Sequence, residues 1–544
     1  MPSSLLKSVC LPLLVALAAI HLARGEELKA PKPVPVPQGF HTEPKQLCVG
    51  LQWEPPPGAM GYELQRASRP DGPFQWVYNY FPQLTIHNDF VGGGGSNFYY
   101  RVRSLYAGEK GRILRSAWSP VAAGHGEALN ENQLLTEVQR AGFDYFYEFG
   151  HPISGLACAS ARHDPDCCAI GGSGMGFFNL GVGIERGFIT RGQGVERALK
   201  ELKFLSEDAQ RFHGAFPHYI NGRTGRVIPF GKYDDGADIV ETAFLMEGIL
   251  FTREYFSRTN PEETEIRRLA DNLWRGVEWN WFVSRATNEP PSMIWHWSPD
   301  YGWKISLPVT GFNECQIVYI LAMASPTHPI EPRYYWQGWE SANYWADRVQ
   351  YGIRLELRRT PVAGPPLFMT HYSYLGLDPR QIWFHGRTYF DHFRDFCQVQ
   401  IRYGESKSNV FKGYGPLWGI TASVGPDGYR AFAPGRRDNG TLAPTAALSS
   451  MPYVPEESLA CLLTLYEQYG SLLWGPYGFY DAFNLSRGWV ARTYLAIDVG
   501  PIAPMIENYR SGLCWKIFMQ CPEIQPVITQ INQGEAGKSW LSRD

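Results

Sequence analysis

The rhythm of hydrophobic and polar residues changes once along this chain, and the change divides it. Between residues 39 and 122 the apolar positions fall in short alternating runs, such as Leu51-Gln-Trp53, Tyr62-Glu-Leu-Gln65 and Phe98-Tyr-Tyr-Arg-Val102. Turn-forming clusters separate them, Gly92-Gly-Gly-Gly-Ser96 among others, which predicts a small all-β sandwich of about seven strands. From Glu131 onward the apolar positions recur every three or four residues, the period of a helix with one buried face. Leu134, Leu135, Val138, Phe143 and Phe146 mark the first of these helices, with Asn130 as its cap. Further helices are predicted over 176–187, 192–211, 238–256, 262–282, 311–324, 339–351, 389–402, 455–468 and 501–512. No strands alternate with them and no fixed-period repeat is present, so the body is expected to be mainly α. A body of roughly 400 residues suits a toroid of paired helices whose loops form a site at one end.

The ends and joints follow from composition. Residues 1–25 carry Lys7, an apolar run from Val9 to Ala19 and Ala23-Arg24-Gly25, the form of a cleaved secretory leader too short to span a bilayer. The expectation is export to the periplasm or beyond, without membrane insertion. Residues 26–38 form a Pro-rich lead-in, 123–130 a linker, 131–535 the body and 536–544 a tail. The formal net charge is −3 with no basic patch, which argues against nucleic acid as a partner. Nine of the ten cysteines lie beyond the leader. Cys158 with Cys167 or Cys168, and Cys514 with Cys521, are candidate disulfides, whereas Cys315 and Cys461 sit in apolar runs as buried thiols. No cysteine or histidine spacing matches a metal motif, so no metal or other cofactor is expected.

The chemistry gathers around Phe230–Phe244, where Asp234, Asp235, Asp238 and Glu241 precede an apolar segment, Ala243–Phe251. Acids at the start of a core helix stand beside buried space and suit general acid/base work. Asp238 with Glu241 three residues on also has the form of a capping box, and on sequence both readings stand. The design recurs. Glu314 opens an apolar helix, where burial would raise its pKa; Asp498 precedes another that contains Glu507; Asp481 lies within Gly478–Phe483. Several such starts imply one shared acidic cleft, and paired carboxylates with aromatic walls are what glycosidic hydrolysis requires. Trp295, His296 and Trp297 suit either stacking on sugar rings or packing in the core. Gly171-Gly-Ser-Gly-Met-Gly176 fits neither a nucleophile elbow nor a dinucleotide loop, and reads as a tight lead into a helix.

Two resemblances sharpen these readings. Leu51-x-Trp53, Gly61-Tyr62-x-Leu64-x-Arg66, Tyr100-Arg-Val102 and Ser116-Ala-Trp-Ser-Pro120 resemble a fibronectin type III domain, and residues 39–122 carry no acid pair or nucleophile array, so a spacer or docking role is expected of them rather than catalysis. Gly214–Gly225, Asp234–Phe244, Gly311-Phe-Asn-Glu314, Ser325–Ile330, Trp418–Ser423, Asp438–Thr441, Pro444–Ser450 and Met505–Arg510 resemble the glycoamylase-like domain. More closely, they resemble glycoside hydrolase family 144, the bacterial β-1,2-glucanases, in order over 131–535. That resemblance implies an (α/α)6 barrel and anomer-inverting hydrolysis of β-1,2-glucan to sophorose or short oligosaccharides. The glutamate of the family's G-x-N-E motif is Glu314, implied general acid; the aspartate of Y-L-x-I-D-x-G-P is Asp498, implied general base. Asp238, Glu241, His218, Trp295, His296, Trp297, His371, Tyr372, Asp481, Glu507 and Arg510 are the candidate substrate-binding residues. Transglycosylation of β-1,2-glucan and non-catalytic glucan binding are the alternatives; retention of both Glu314 and Asp498 disfavours a pure binder.

Overall fold

The computed structural model describes residues 34–162, 164–284, 291–341, 344–357 and 364–537. The leader, most of the lead-in and the end of the tail lie outside them. Eight strands come first: β1 Gln38–Lys45, β2 Cys48–Glu54, β3 Gly61–Ala67, β4 Gln75–Val77, β5 Ile86–Phe90, β6 Phe98–Ala107, β7 Ile113–Arg115 and β8 Ala122–Gly124. They make two antiparallel sheets, β1-β2-β5 and β4-β3-β6-β7, with β8 also on β6. Alternate residues point inward, so Val49, Leu51, Trp53, Tyr62, Leu64, Tyr100 and Val102 close a core between the sheets.

The helices follow. They are α1 Glu131–Tyr147, α2 Ile170–Glu185, α3 Arg191–Glu207, α4 Ile239–Tyr255, α5 Pro261–Arg275, α6 Gln316–Ala324 and α7 Tyr389–Ser406. Then come α8 Pro444–Leu448, α9 Pro455–Leu473, α10 Ala496–Val499, α11 Ile502–Arg510, α12 Leu513–Phe518 and α13 Ile524–Gly537. In α4 every residue from Ile239 to Arg253 is buried, as a helix apolar on all sides must be. By contrast α5 buries only one stripe, Ile266, Leu269, Ala270, Leu273 and Trp274, and packs outside α4 and beside α3. Helices α2 and α4 meet through glycine. A Cβ added to Gly174 would stand 2.1 Å from the Phe244 carbonyl oxygen, and one on Gly248 would stand 2.0 Å from that of Gly174. This close approach explains why 171–176 lies inside α2 rather than leading into it: the glycines open room for a neighbouring backbone.

Two further expectations are corrected. The helix expected over 339–351 does not form among its described residues beyond Trp339, which ends a short π-helical turn, Tyr335–Trp339. Trp345–Gln350 and Ile353–Leu357 pair as an antiparallel hairpin. Its turn, Tyr351-Gly352, has both φ angles positive, 53° and 77°, the signature of a two-residue loop whose twist matches the strands. The body, expected to be mainly α, is mixed, because the loops between helices pair in short ladders. Examples are Cys167–Ala169 with Tyr219–Asn221, Ala237-Asp238 with His296-Trp297, and Ala482–Asn484 with Trp489–Ala491. None of the nine described cysteines forms a disulfide. Cys514 and Cys521 are each buried, Cys521 directing its thiol to the Leu250 carbonyl. Cys158 and Cys168 do face one another across a β-bridge, as reduced thiols.

The β-region is wedged against the helical body rather than held away from it. The Phe90 ring lies 5.1 Å from Tyr466 and occupies the space a side chain at Gly470 would need. Tyr466 donates its hydroxyl to the Gln46 carbonyl at 2.7 Å, and the Gln46 N–H is accepted by Glu137 at 2.8 Å. Asn88 donates to the Gly475 carbonyl at 2.9 Å. Phe81, fully buried, packs on Tyr480 and Tyr494.

Candidate active site

The site is assembled from the starts of the apolar helices. Asp238 is the N-cap of α4, and its Oδ1 accepts from the N–H groups of Val240 and Glu241 at 3.0 and 2.9 Å. Its Oδ2 accepts from His218 Nδ1 at 3.2 Å and from Trp295 Nε1 at 3.1 Å. One oxygen of Asp238 thus caps the helix, without the reciprocal bond from Glu241 that a capping box requires, and the other is held by two side chains. Glu241, one turn further, accepts the Gly171 N–H at 2.8 Å, where the positive end of α2 favours a negative charge. His296 stands 3.4 Å from Asp234 and 3.7 Å from Asp238. Burial alone would depress the His218 pKa, but the charges of Glu241 and Asp238 raise it to about 9. Glu241 is itself pushed up to about 7, by burial and then by Asp238. His218, Asp234 and Asp238 bring one ligand atom each within 4.8 Å, a spacing a cation would accept. Asp238 has all its acceptor sites committed to N–H donors, so the trio stands as a complete ion network.

Substituting Asp238 by Asn isolates that network, because Asn caps a helix about as well. The His218 pKa, read by NMR, is expected to fall from about 9 toward its ordinary 6.5. A raised pKa stabilises the fold below the unfolded value and stops doing so as pH rises through the folded one. The melting-temperature gap between wild type and variant should therefore be widest near pH 6 and close above pH 9. A gap that is flat with pH would leave Asp238 a cap alone.

Across the cleft, Glu314 sits two residues before α6, its carbonyl accepting from the Ser373 hydroxyl. It is half-buried rather than buried, on the wall of a cavity of about 320 Å³ shared with Trp295, Asn313, Phe368 and Arg437. Asp498, in α10, is 2 % exposed and accepts the Tyr372 hydroxyl at 3.1 Å. Beside it lies Asp481, whose Oδ2 accepts the Val424 N–H at 2.7 Å. The other oxygens, Asp481 Oδ1 and Asp498 Oδ2, are buried without an N–H or O–H donor among the described residues. Two facing carboxyl oxygens in that position are stable only with a proton between them. Burial pushes Asp481 up to about 6. Burial, then the Asp481 charge, pushes Asp498 well above the carboxylate range.

Two tyrosines absent from the sequence-based candidates join the two sides. Burial raises the pKa of Tyr219, and the charges of Glu241 and Asp498 add to it. Tyr429 is the cross-strand partner of Val424 in the hairpin of Ala422–Gly425 and Gly428–Ala431. Enclosure of its hydroxyl, then the charges of Asp498, Asp481 and Glu314, raise its pKa, although the residue as a whole is half open. The signal for that hairpin was legible as Gly425-Pro-Asp-Gly428, a turn with a mechanism.

Other candidates have their contacts elsewhere. Glu507 binds Arg186 at 2.6 and 2.8 Å and Gln139 at 2.9 Å, joining α1, α2 and α11. Arg510 donates to Thr136 and Gln139. His371 is buried against the Ser450 hydroxyl at 3.0 Å, and burial lowers its pKa to about 3. Trp297 packs with Phe212, His213 and Trp281.

Comparison with known proteins places this geometry among relatives. The glycoamylase family model matches residues 306–522. An exo β-1,2-glucooligosaccharide sophorohydrolase (non-reducing end) of Parabacteroides distasonis is 40 % identical over 472 residues, 83 % of this chain and 64 % of that protein. The chain thus spans less than two thirds of that curated relative. The crystal structure of a β-1,2-glucanase from Parabacteroides distasonis superposes with a TM-score of 0.86 at 37 % identity, covering 92 % of this chain and 73 % of the other. An endo-β-1,2-glucanase from Chitinophaga pinensis, in complex with sophorotriose and glucose, superposes with 0.71 at 43 % identity, over 74 % of this chain and 99 % of the other.

Proposed function

The chain belongs to glycoside hydrolase family 144, the bacterial β-1,2-glucanases, and from that premise we propose that it cleaves β-1,2-glucan by anomer-inverting general acid/base hydrolysis. The observation that carries the proposal is the contrast between two carboxyl groups. Glu314 faces an open cavity with room for a sugar ring, while Asp498 is buried and oriented by Tyr372. Glu314 protonates the leaving glycosidic oxygen. Asp498 removes a proton from the attacking water, and its hydrogen bond from Tyr372 favours the ionised form this needs. The charge of Asp481 raises the Asp498 pKa and so strengthens Asp498 as a proton acceptor once it is ionised, and the Val424 N–H that Asp481 accepts ties the pair to the Tyr429 hairpin. Trp295 and Phe368 offer flat faces to the sugar. Glu241 and His218 supply charged hydrogen-bonding groups for its hydroxyls, and Asp238 holds His218 and Trp295 in place behind them.

The same reading organises the rest of the chain. Apolar α2 and α4 inside one-sided α3 and α5 support an (α/α)6 barrel over 131–535. The two-sheet β-region supports a fibronectin type III-like unit over 39–122. Residues 1–25 export the protein.

The test is incubation of the purified chain with linear β-1,2-glucan, β-1,3-glucan, cellulose and starch. Only the first is expected to be cut, and proton NMR of the earliest product should show the α anomer. Equal cleavage of any other glucan overturns the substrate, and a β anomer first overturns inversion. Products longer than the starting oligosaccharide would favour transglycosylation.

A further inference from the structure

We infer that the groove between the β-region and the helical body is a second carbohydrate site, holding a stretch of β-1,2-glucan apart from the catalytic acids. The inference rests on the substrate class proposed above. The groove encloses about 280 Å³, near the lower end of ligand clefts, and shares no lining residue with the cavity beside Glu314.

Its β-region wall carries Trp76 and Tyr78, 61 % and 74 % exposed, although neighbouring aromatics of the same sheet are buried. These rings are held in place rather than left mobile. Trp76 lies 5.9 Å from Trp118, which is itself flanked by the Arg103 guanidinium at 4.3 Å. Tyr78 lies 4.3 Å from Tyr80, and Arg492 of the body clamps Tyr80 at 3.4 Å from the ring centre. A ring already fixed loses little freedom on binding, so flat faces of this kind suit the C–H face of a pyranose.

Polar groups line the same groove. Arg66 and Asp89 form an ion pair at 2.7 Å, presenting a donor and an acceptor side by side for adjacent hydroxyls. The Asn79 Nδ2 is buried with no acceptor among the described residues, an unmet donor in the wall. Aromatic platforms, paired donors and acceptors, and charges of both signs describe a neutral, polyhydroxylated ligand. The enzyme's own polymer is the one that the rest of the molecule recognises.

Trp76→Ala with Tyr78→Ala tests the inference in the full chain, with Tyr78→Ser as a milder single change. Both residues are exposed, so the melting temperature should hold. In native gels cast with long linear β-1,2-glucan, wild type should be retarded and the double variant should run about tenfold less retarded. KM for the polymer should rise about tenfold, the loss expected of a central aromatic contact, while kcat/KM on short β-1,2-gluco-oligosaccharides stays unchanged. Equal retardation and equal polymer KM in wild type and variants would overturn the second site. If the unaltered protein leaves β-1,2-glucan uncut, the catalytic reading has failed, and gel retardation alone decides the groove: loss in the variant supports it, and no retardation of wild type overturns it.

Discussion

Glu314→Gln is expected to lower turnover on β-1,2-glucan by about 10²–10⁴-fold with little change in binding, the usual worth of a general acid. Glutamine keeps the size and hydrogen-bonding shape of the side chain and removes only the proton to be donated. Asp498→Asn should fall in the same range for the opposite reason, since an amide takes no proton from water. Its neighbour behaves differently. Asp481→Asn removes a like charge facing the base, so the Asp498 pKa should fall and the acid limb of the kcat/KM profile should move to lower pH. Near-normal turnover in Glu314→Gln would transfer the acid role to Glu241, whose pKa of about 7 suits it. An unmoved acid limb in Asp481→Asn would dismantle the shared-proton pair.

Removal of the β-region is the second large effect. A chain starting at Gly126 would lose Phe81 and Phe90 from the surface of the helical body and bare Tyr466, Tyr480 and Tyr494. At about 1.5–3 kcal/mol for a fully buried large side chain, Phe81 alone carries a sizeable part of a typical folding free energy, and the half-buried Phe90 adds to it. Glu137, raised by burial to about 7, would also lose the Gln46 N–H it accepts. The shortened chain is expected to melt well below the intact one by circular dichroism and to aggregate on warming. Equal melting temperatures would leave residues 39–122 a spacer that the body does not need for stability.

What the sequence disclosed and what it hid follow one physical line. Patterns set by neighbours in the chain were legible. The period of α1, the Asn130 cap and the acids at the start of α4 each depend on residues within a turn or two. Contacts between distant segments were not. Gly174 looked like loop chemistry because the reason for it, the Phe244 carbonyl on another helix, lies seventy residues away. Glu507 looked like a cleft acid, and only the fold brings Arg186 to it. Asp481 was legible as a buried acid, but not as the partner of Asp498, since that pairing exists only once the 481 loop and α10 meet. The 345–357 hairpin was hidden by tryptophan and tyrosine at helix-like spacing, while its Tyr351-Gly352 turn went unused.

The glycine seam between α2 and α4 has a bearing on how this chain can vary. Where two helices touch through side chains, every exchange of Leu for Met or Ile shifts their spacing by some tenths of an ångström. Here carbonyl oxygens and bare Cα atoms set the distance, and the Gly171 N–H and the Glu241 carboxylate that it holds lie on that same seam. The acidic end of the cleft is thus gauged by backbone atoms, a spacing that only a change at the glycines themselves would alter. Volume-conserving exchanges among the hydrophobic residues around the seam should therefore leave the Gly171–Glu241 contact in place.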